Sequence, residues 1–323
     1  MLESLRDKVL AGEDITKDEA LELINLEEDR TMELLAAANR IKNKFNDKKV
    51  DLCSIINAKA GSCSEDCTFC AQSAHYDTKV NSYLLLSKEE ILSRAKEMEK
   101  EGADHFGIVT TGKGVITNQD FDNILETIVT IKEETDLEVC AALGTLDRSQ
   151  VERLVEVGLK RYNHNLETSE NHFPNICTTH TYQERIQTVK FLKEMGISTC
   201  CGGIMGLGEN VEDRIDLAFT LKELDVDAVP VNILNPIEGT PLENLPVLSP
   251  MEALKIVAVF RFILPDKIIK LCGGRENVLG DLQALSLLSG VNGLLVGNYL
   301  TTKGRVVTED IKMIEDLGLV SSR

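Results

Sequence analysis

Tryptophan is absent from this chain of 323 residues, and all aromatic side chains together make up only 4% of it. Any hydrophobic core must therefore be built from aliphatic residues. Basic charge is also scarce: 35 Lys and Arg stand against 53 Asp and Glu, a formal net charge of −18. A field of that sign repels phosphate backbones and anionic lipid headgroups, which argues against nucleic acid or a membrane surface as partner. No run approaches the roughly 18 apolar residues that a spanning helix needs. The first 25 residues are charged and amphipathic, unlike a signal peptide, so a cytoplasmic location is expected. Long Pro- or Ser-rich linkers, low-complexity tracts and coiled-coil heptads are missing as well.

Cysteine, by contrast, is plentiful. Nine cysteines, an odd number, in a reducing compartment read as metal ligands or reactive thiols before they read as disulfides. Residues 1 to about 45 carry apolar positions at three- and four-residue spacing, clearest over 17–26 and 29–44, and predict a helical extension. A different rhythm follows. Buried-strand candidates at 50–57, 104–110, 138–143, 161–166, 198–205, 228–234, 268–272 and 293–296 alternate with amphipathic helices. Those helices fall at 87–101, 118–134, 149–157, 181–195, 211–224, 250–263 and 277–288, with a last one at 309–317. Gly102, Gly158 and Gly196 stand where three helices should end. Eight evenly spaced units of this kind predict an α/β fold closed as a (β/α)8 barrel of the TIM type rather than an open sheet. The expected division is a helical extension over 1–45, the barrel over 46–300 and a C-terminal extension over 301–323.

Cys63, Cys67 and Cys70 form C-x3-C-x2-C in G-S-C-S-E-D-C-T-F-C, just past the first strand, where barrel enzymes build active sites. Three thiolates in eight residues suit one face of a [4Fe–4S] cube with an iron left open. Zinc is the alternative, with His75 as fourth ligand. With Phe69 before its last cysteine, the segment resembles the signature of the radical S-adenosylmethionine superfamily. The resemblance implies that the open iron binds S-adenosylmethionine and that its cleavage yields a 5′-deoxyadenosyl radical.

The resemblance extends to the biotin synthase family over roughly residues 10–320. It is carried by A-L-G-T-L, Y-N-H-N-L-E-T-S, T-Y-Q-E-R, G-G-I-M-G-L-G-E and V-N-I-L. It implies radical insertion of sulfur into dethiobiotin. Asn163 and Asn165 lie two apart and so share a face of their strand; the resemblance implies that they and Asn232 contact dethiobiotin, with Asn165 shared by the nucleoside. It places Arg185 on the methionyl carboxylate, a role that a guanidinium fills bidentately. Glu167 stands where the family usually has Asp on the ribose, and Gly206 lies in the Gly-rich run 202–208 expected beside adenosine. A flavodoxin or ferredoxin electron donor and a homodimer are further implications.

The chain departs from the family at its second cluster, usually a [2Fe–2S] held by three cysteines and an arginine. Two of those cysteine positions match Cys140 and Cys200. The third falls on Gly107 and the arginine on Lys270, and glycine cannot ligate iron. Cys53 and Cys272 appear on other strands, Cys272 on the same face as Lys270. Cys53, Cys140, Cys200 and Cys272 thus predict an auxiliary four-iron cluster; the alternative makes Cys53 and Cys272 buried core thiols. Adjacent Cys200 and Cys201 must face opposite ways, and Cys177 and Cys201 are expected not to be ligands. A hydrogenase maturation enzyme, a methylornithine synthase and a passive iron–sulfur carrier are the rival readings.

Overall fold

The computed structural model describes residues 1–115 and 117–321. Three helices come first, α1 (Leu2–Leu10), α2 (Lys17–Ile24) and α3 (Thr31–Phe45). The barrel strands are β1 (Lys49–Lys59), β2 (His105–Thr110), β3 (Glu138–Ala142), β4 (Arg161–Asn163), β5 (Ser198–Cys200), β6 (Gly203–Met205), β7 (Ala228–Ile233), β8 (Ile268–Leu271) and β9 (Gly293–Leu295). Between them run α4 (Lys88–Glu101), α5 (Asn118–Glu134), α6 (Arg148–Glu156), α7 (Tyr182–Glu194), α8 (Val211–Glu223), α9 (Pro250–Ile263), α10 (Arg275–Leu279) and α11 (Gln283–Leu287). Last come α12 (Val307–Asp316) and a short β10 (Val320–Ser321), which pairs with the start of β1.

Every barrel pairing is parallel, and β1 pairs with both β2 and β9, which closes the sheet. The (β/α)8 expectation therefore holds. Three of its elements are corrected. The fourth strand ends at Asn163, short of the expected Leu166, so Asn165 lies just past it. The fifth strand is interrupted at Cys201–Gly202, where the backbone of β7 passes so close that a Cβ at Gly202 would overlap the carbonyl oxygen of Pro230. The helix expected over 277–288 is two short helices joined by a 3₁₀ turn at Gly280–Leu282.

Local sequence explains the helix starts. Thr16 with Glu19, Ser87 with Glu90, Thr181 with Glu184 and Asn210 with Asp213 form reciprocal capping boxes on α2, α4, α7 and α8. Gly102, Gly158 and Gly196 all take the left-handed conformation that ends a helix. The barrel helices bury aliphatic faces against the strands. One hydrophobic cluster joins α1–α3 to α8 and α9, and a second lies under α4–α6. Helix α9 is buried along nearly its whole length, lying between the barrel and α3. Each such aliphatic side chain contributes about 1.5–3 kcal/mol.

Candidate active site

Strand alternation sorts the inward residues into layers. Asp51 and Cys53 lie two apart on β1, Glu138 and Cys140 on β3, and Lys270 on β8 precedes Cys272 by two. Register aligns Gly107 with Cys140, Cys140 with Arg161, and Asn163 with Cys200. Cys53, Cys140, Cys200 and Cys272 consequently line one cavity of about 270 Å³, together with Asn163, Asn165, Asn232 and Gly107. Its mouth carries Tyr299, Leu300 and Thr301. Cys201 instead is fully buried in the aliphatic core.

The thiols are electrostatically unequal. A hydrogen bond from Cys140 brings the Cys53 thiol down to about 6 against its burial, helped by the Lys270 ammonium. Burial pushes Cys200 up to about 11 and raises Cys272. At Gly107 an added Cβ would stand 3.0 Å from Ile55 Cγ2. A cysteine there would need Ile55 to move.

One pleat below the thiols lies a charged floor that sequence reasoning missed. Asp51 pairs with Lys270 Nζ at 2.5 Å, His105 Nε2 at 2.9 Å and the Arg161 guanidinium at 3.3 Å. None of these four residues is more than 9% exposed. The available signal was alternation: Arg161 shares its face with Asn163 and Asn165. Burial alone would raise the Asp51 carboxyl, but Lys270, His105 and Arg161 together hold it far below the usual range. A depressed carboxyl contributes stability that is present above its unfolded pKa, about 3.9, and lost as pH falls through the folded one. Asp51→Asn is expected to lower the urea midpoint at pH 7 and to flatten its fall between about pH 5 and 2. Parallel acid limbs for both proteins would contradict this assignment.

Above the thiols, the polar groups point to a neutral ligand. Asn163 Oδ1 is buried without a partner. Asn232 accepts from Gly273 N at 3.0 Å and Asn165 from Gly202 N at 3.2 Å, so their side chains are already oriented. Glu167 is held at φ 70° beside the cavity wall, and its Oε2 also lacks a partner. Burial raises its pKa, with Arg185 opposing. Arg185 is fixed by Asn165 O at 2.8 Å and His180 Nε2 at 3.0 Å, and lies 3.7 Å from Glu167. Gly206 stands apart from the cavity, its N–H on Glu209 and its Cα beside Leu248 and Leu234.

The cysteine loop is tied to the segment leading into α7. Asp66 accepts from Thr178 N at 2.8 Å and from the Thr178 hydroxyl, and Thr68 N donates to Ile176 O at 2.9 Å. Glu65 meets His180 Nδ1 at 2.6 Å. These contacts set the Cys63–Cys70 loop against Arg185. Half-buried Phe69 packs on the core. Cys177, expected to be no ligand, lies 3.7 Å from Cys67 and 3.2 Å from His180 Nδ1, a proximity across 110 residues that no local pattern announces. Among the described residues the trio Cys67, Cys177 and His180 is the group whose donor atoms approach within 4.8 Å of one another. Hydrogen bonds from Cys67 and His180 bring the Cys177 thiol down to about 4, against its burial. His75 contacts Ser64 O at 2.9 Å. Three thiols on a loop, with a fixed guanidinium nearby and a carboxylate oxygen that has no hydrogen-bond partner, fit an iron cluster with a charged amino-acid ligand.

The family model for the radical SAM superfamily matches residues 59–221, and that for the biotin and thiamin synthesis associated domain matches 230–320. The chain is 54% identical over 317 residues to the biotin synthase of Carboxydothermus hydrogenoformans, covering 98% of each. It is 52% identical to that of Clostridium acetobutylicum, covering 98% of this chain and 97% of the relative. Among solved structures it resembles methylornithine synthase, with TM-score 0.86, 25% identity, and 99% and 97% of the two chains covered. It also resembles the FeFe-hydrogenase maturase HydG of C. hydrogenoformans, with TM-score 0.83, 20% identity, and 99% and 79% covered. That second likeness is one of fold. Barrel closure, family models and full-length identity near one half converge: the chain belongs to the biotin synthase family of radical S-adenosylmethionine enzymes.

Proposed function

We infer that this chain, as a biotin synthase, draws the sulfur it inserts into dethiobiotin from an auxiliary four-iron cluster held by Cys53, Cys140, Cys200 and Cys272. The observation that carries the reading is the convergence of those four thiols on one cavity, where Gly107 and Lys270 take the places of two usual ligands. Core thiols would pack between strand and helix, as Cys201 does. The first cluster with S-adenosylmethionine supplies a radical for C–H abstraction, and the second supplies sulfur.

The protein's own side chains then do the positioning. Cys63, Cys67 and Cys70 hold the first cluster, with Phe69 and Gly206 in the surrounding cofactor site. Arg185 binds the methionyl carboxylate, and Glu167 the ribose hydroxyls. Asn163, Asn165 and Asn232 hold the ureido edge of dethiobiotin, and the unpartnered Asn163 oxygen accepts one of its N–H groups. Apolar Ile55, Val109 and Leu295 surround the substrate and exclude water. A flavodoxin or ferredoxin supplies low-potential electrons, and the working form is a cytoplasmic homodimer.

Iron and sulfide analysis of a Cys63/Cys67/Cys70→Ala variant tests the second cluster. About four irons per chain should remain. Two would restore the family's usual cluster, and none would remove the auxiliary site. Separately, Arg185→Ala should raise the KM for S-adenosylmethionine by about tenfold or more, as expected for loss of a charge-assisted pair. An unchanged KM would place the carboxylate elsewhere.

A further inference from the structure

Lys270 is 2% exposed, and among the described residues its ammonium has one ion-pair partner, Asp51, and no well-aligned hydrogen bond. Three N–H donors on a buried cation are seldom left so. Arg161, 9% exposed, contacts Asp51 at 3.3 Å, His105 at 3.4 Å and Ser198 at 3.4 Å, which leaves much of its five-donor fork uncommitted. Both side chains line the cavity that holds the four thiols. The thiol partners are specific: Lys270 feels Cys53 and Cys200, and Arg161 feels Cys140 and Cys200. Two buried cations share the buried Asp51 carboxylate, while the other acid of the group, Glu138, is partly exposed and stands 3.6 Å from His105 Nδ1, which leaves a local excess of buried positive charge beneath the thiols. An isolated excess of that kind is costly in a dry interior unless an anion covers it.

We propose that Arg161 and Lys270 are positioning residues for the auxiliary cluster, with Asp51 fixing their direction, and that this cationic floor offsets the negative charge of a cluster ligated by four thiolates. The inference rests on the four-cysteine reading above. Net charge and hydrogen bonds to sulfur are principal determinants of an iron–sulfur potential. A cation one pleat beneath the cluster favours the reduced, more negative state, while the Asp51 carboxylate opposes it. The three residues therefore have effects of opposite sign, which a merely structural role would not produce.

The test uses the Cys63/Cys67/Cys70→Ala protein, so that only the auxiliary cluster is read. Its reduction midpoint is followed anaerobically by electron paramagnetic resonance with a mediated dithionite titration. Arg161→Gln and Lys270→Met are each expected to move the midpoint to more negative potential. At the parent's midpoint the ratio of reduced to oxidised cluster should fall by roughly tenfold or more. Asp51→Asn should move it the other way, and Lys270→Arg should restore the parent value. Iron lost from Lys270→Met and regained in Lys270→Arg also supports the assignment. If the parent holds four irons but its midpoint is unmoved in Arg161→Gln and Asp51→Asn, this inference is overturned and the cluster stands. If the parent holds no iron, both fall together.

Discussion

Replacing Cys272 by alanine is expected to reduce biotin formation by more than about 100-fold while 5′-deoxyadenosine is still produced, because a donor that is lost or displaced forfeits its proximity to the carbon radical. Cys272 is 5% exposed, follows β8, and reaches the same cavity as Cys53, Cys140 and Cys200. No residue of the Cys63–Cys70 loop is among those that line this cavity, so S-adenosylmethionine cleavage has no reason to fail with Cys272. A core thiol would behave differently. Trimming it to alanine would cost about 1 kcal/mol in packing and leave biotin output nearly intact. Quantifying both products by mass spectrometry, with iron per chain alongside, separates the two. Cys53→Ala should follow Cys272→Ala. Cys201→Ala, in the aliphatic core, should retain both iron and coupling.

The largest expected loss of stability comes from Asp310→Ala, about 3–5 kcal/mol, the usual cost of stranding one member of a buried ion pair. Arg275 and Asp310 are both fully buried and meet in a double contact, at 2.5 Å and 3.1 Å. The same guanidinium donates to Gln283 at 2.5 Å, to Leu295 O at 3.3 Å and to the Tyr299 hydroxyl at 3.2 Å. The pair therefore joins α12 and the end of β9 to the lip of the active-site cavity. Urea midpoints should show Arg275→Met/Asp310→Ala to be less destabilised than Asp310→Ala alone, since the double change strands no charge. Additive losses would mean that the pair's partners, not its charges, carry the effect. Because Tyr299 depends on Arg275, Asp310→Ala should also raise the KM for dethiobiotin.

Much of this architecture was legible in the sequence, for identifiable reasons. Most of the eight strand positions carry short aliphatic runs between amphipathic helices, and period-two alternation already placed Asn163 with Asn165 and Lys270 with Cys272. The break at Cys201–Gly202, where β7 approaches in space, was not legible from local pattern. Nor was the floor. Asp51, His105 and Arg161 meet across 54 and 110 residues, and a single acidic residue at a strand start carries no pattern of its own. Cys177 escaped for the same reason: the turn that presents it to Cys67 is fixed by Asp66 and Glu65 from a distant loop. Local propensity speaks for elements, while long-range polar contacts emerge only once the barrel closes.

That closed floor also dictates traffic. Buried beneath the thiols, Asp51, His105, Arg161 and Lys270 shut the lower end of the lumen, while Tyr299, Leu300 and Thr301 stand at the upper rim. Among the described residues the cavity is thus reached from the Tyr299–Thr301 side. If the proposed cluster on those thiols gives up its sulfide, whatever replenishes it would come in by the route through which dethiobiotin arrives and biotin leaves. Repair and catalysis would then not overlap in time; product departure would gate both, and a slow-leaving biotin would idle the enzyme.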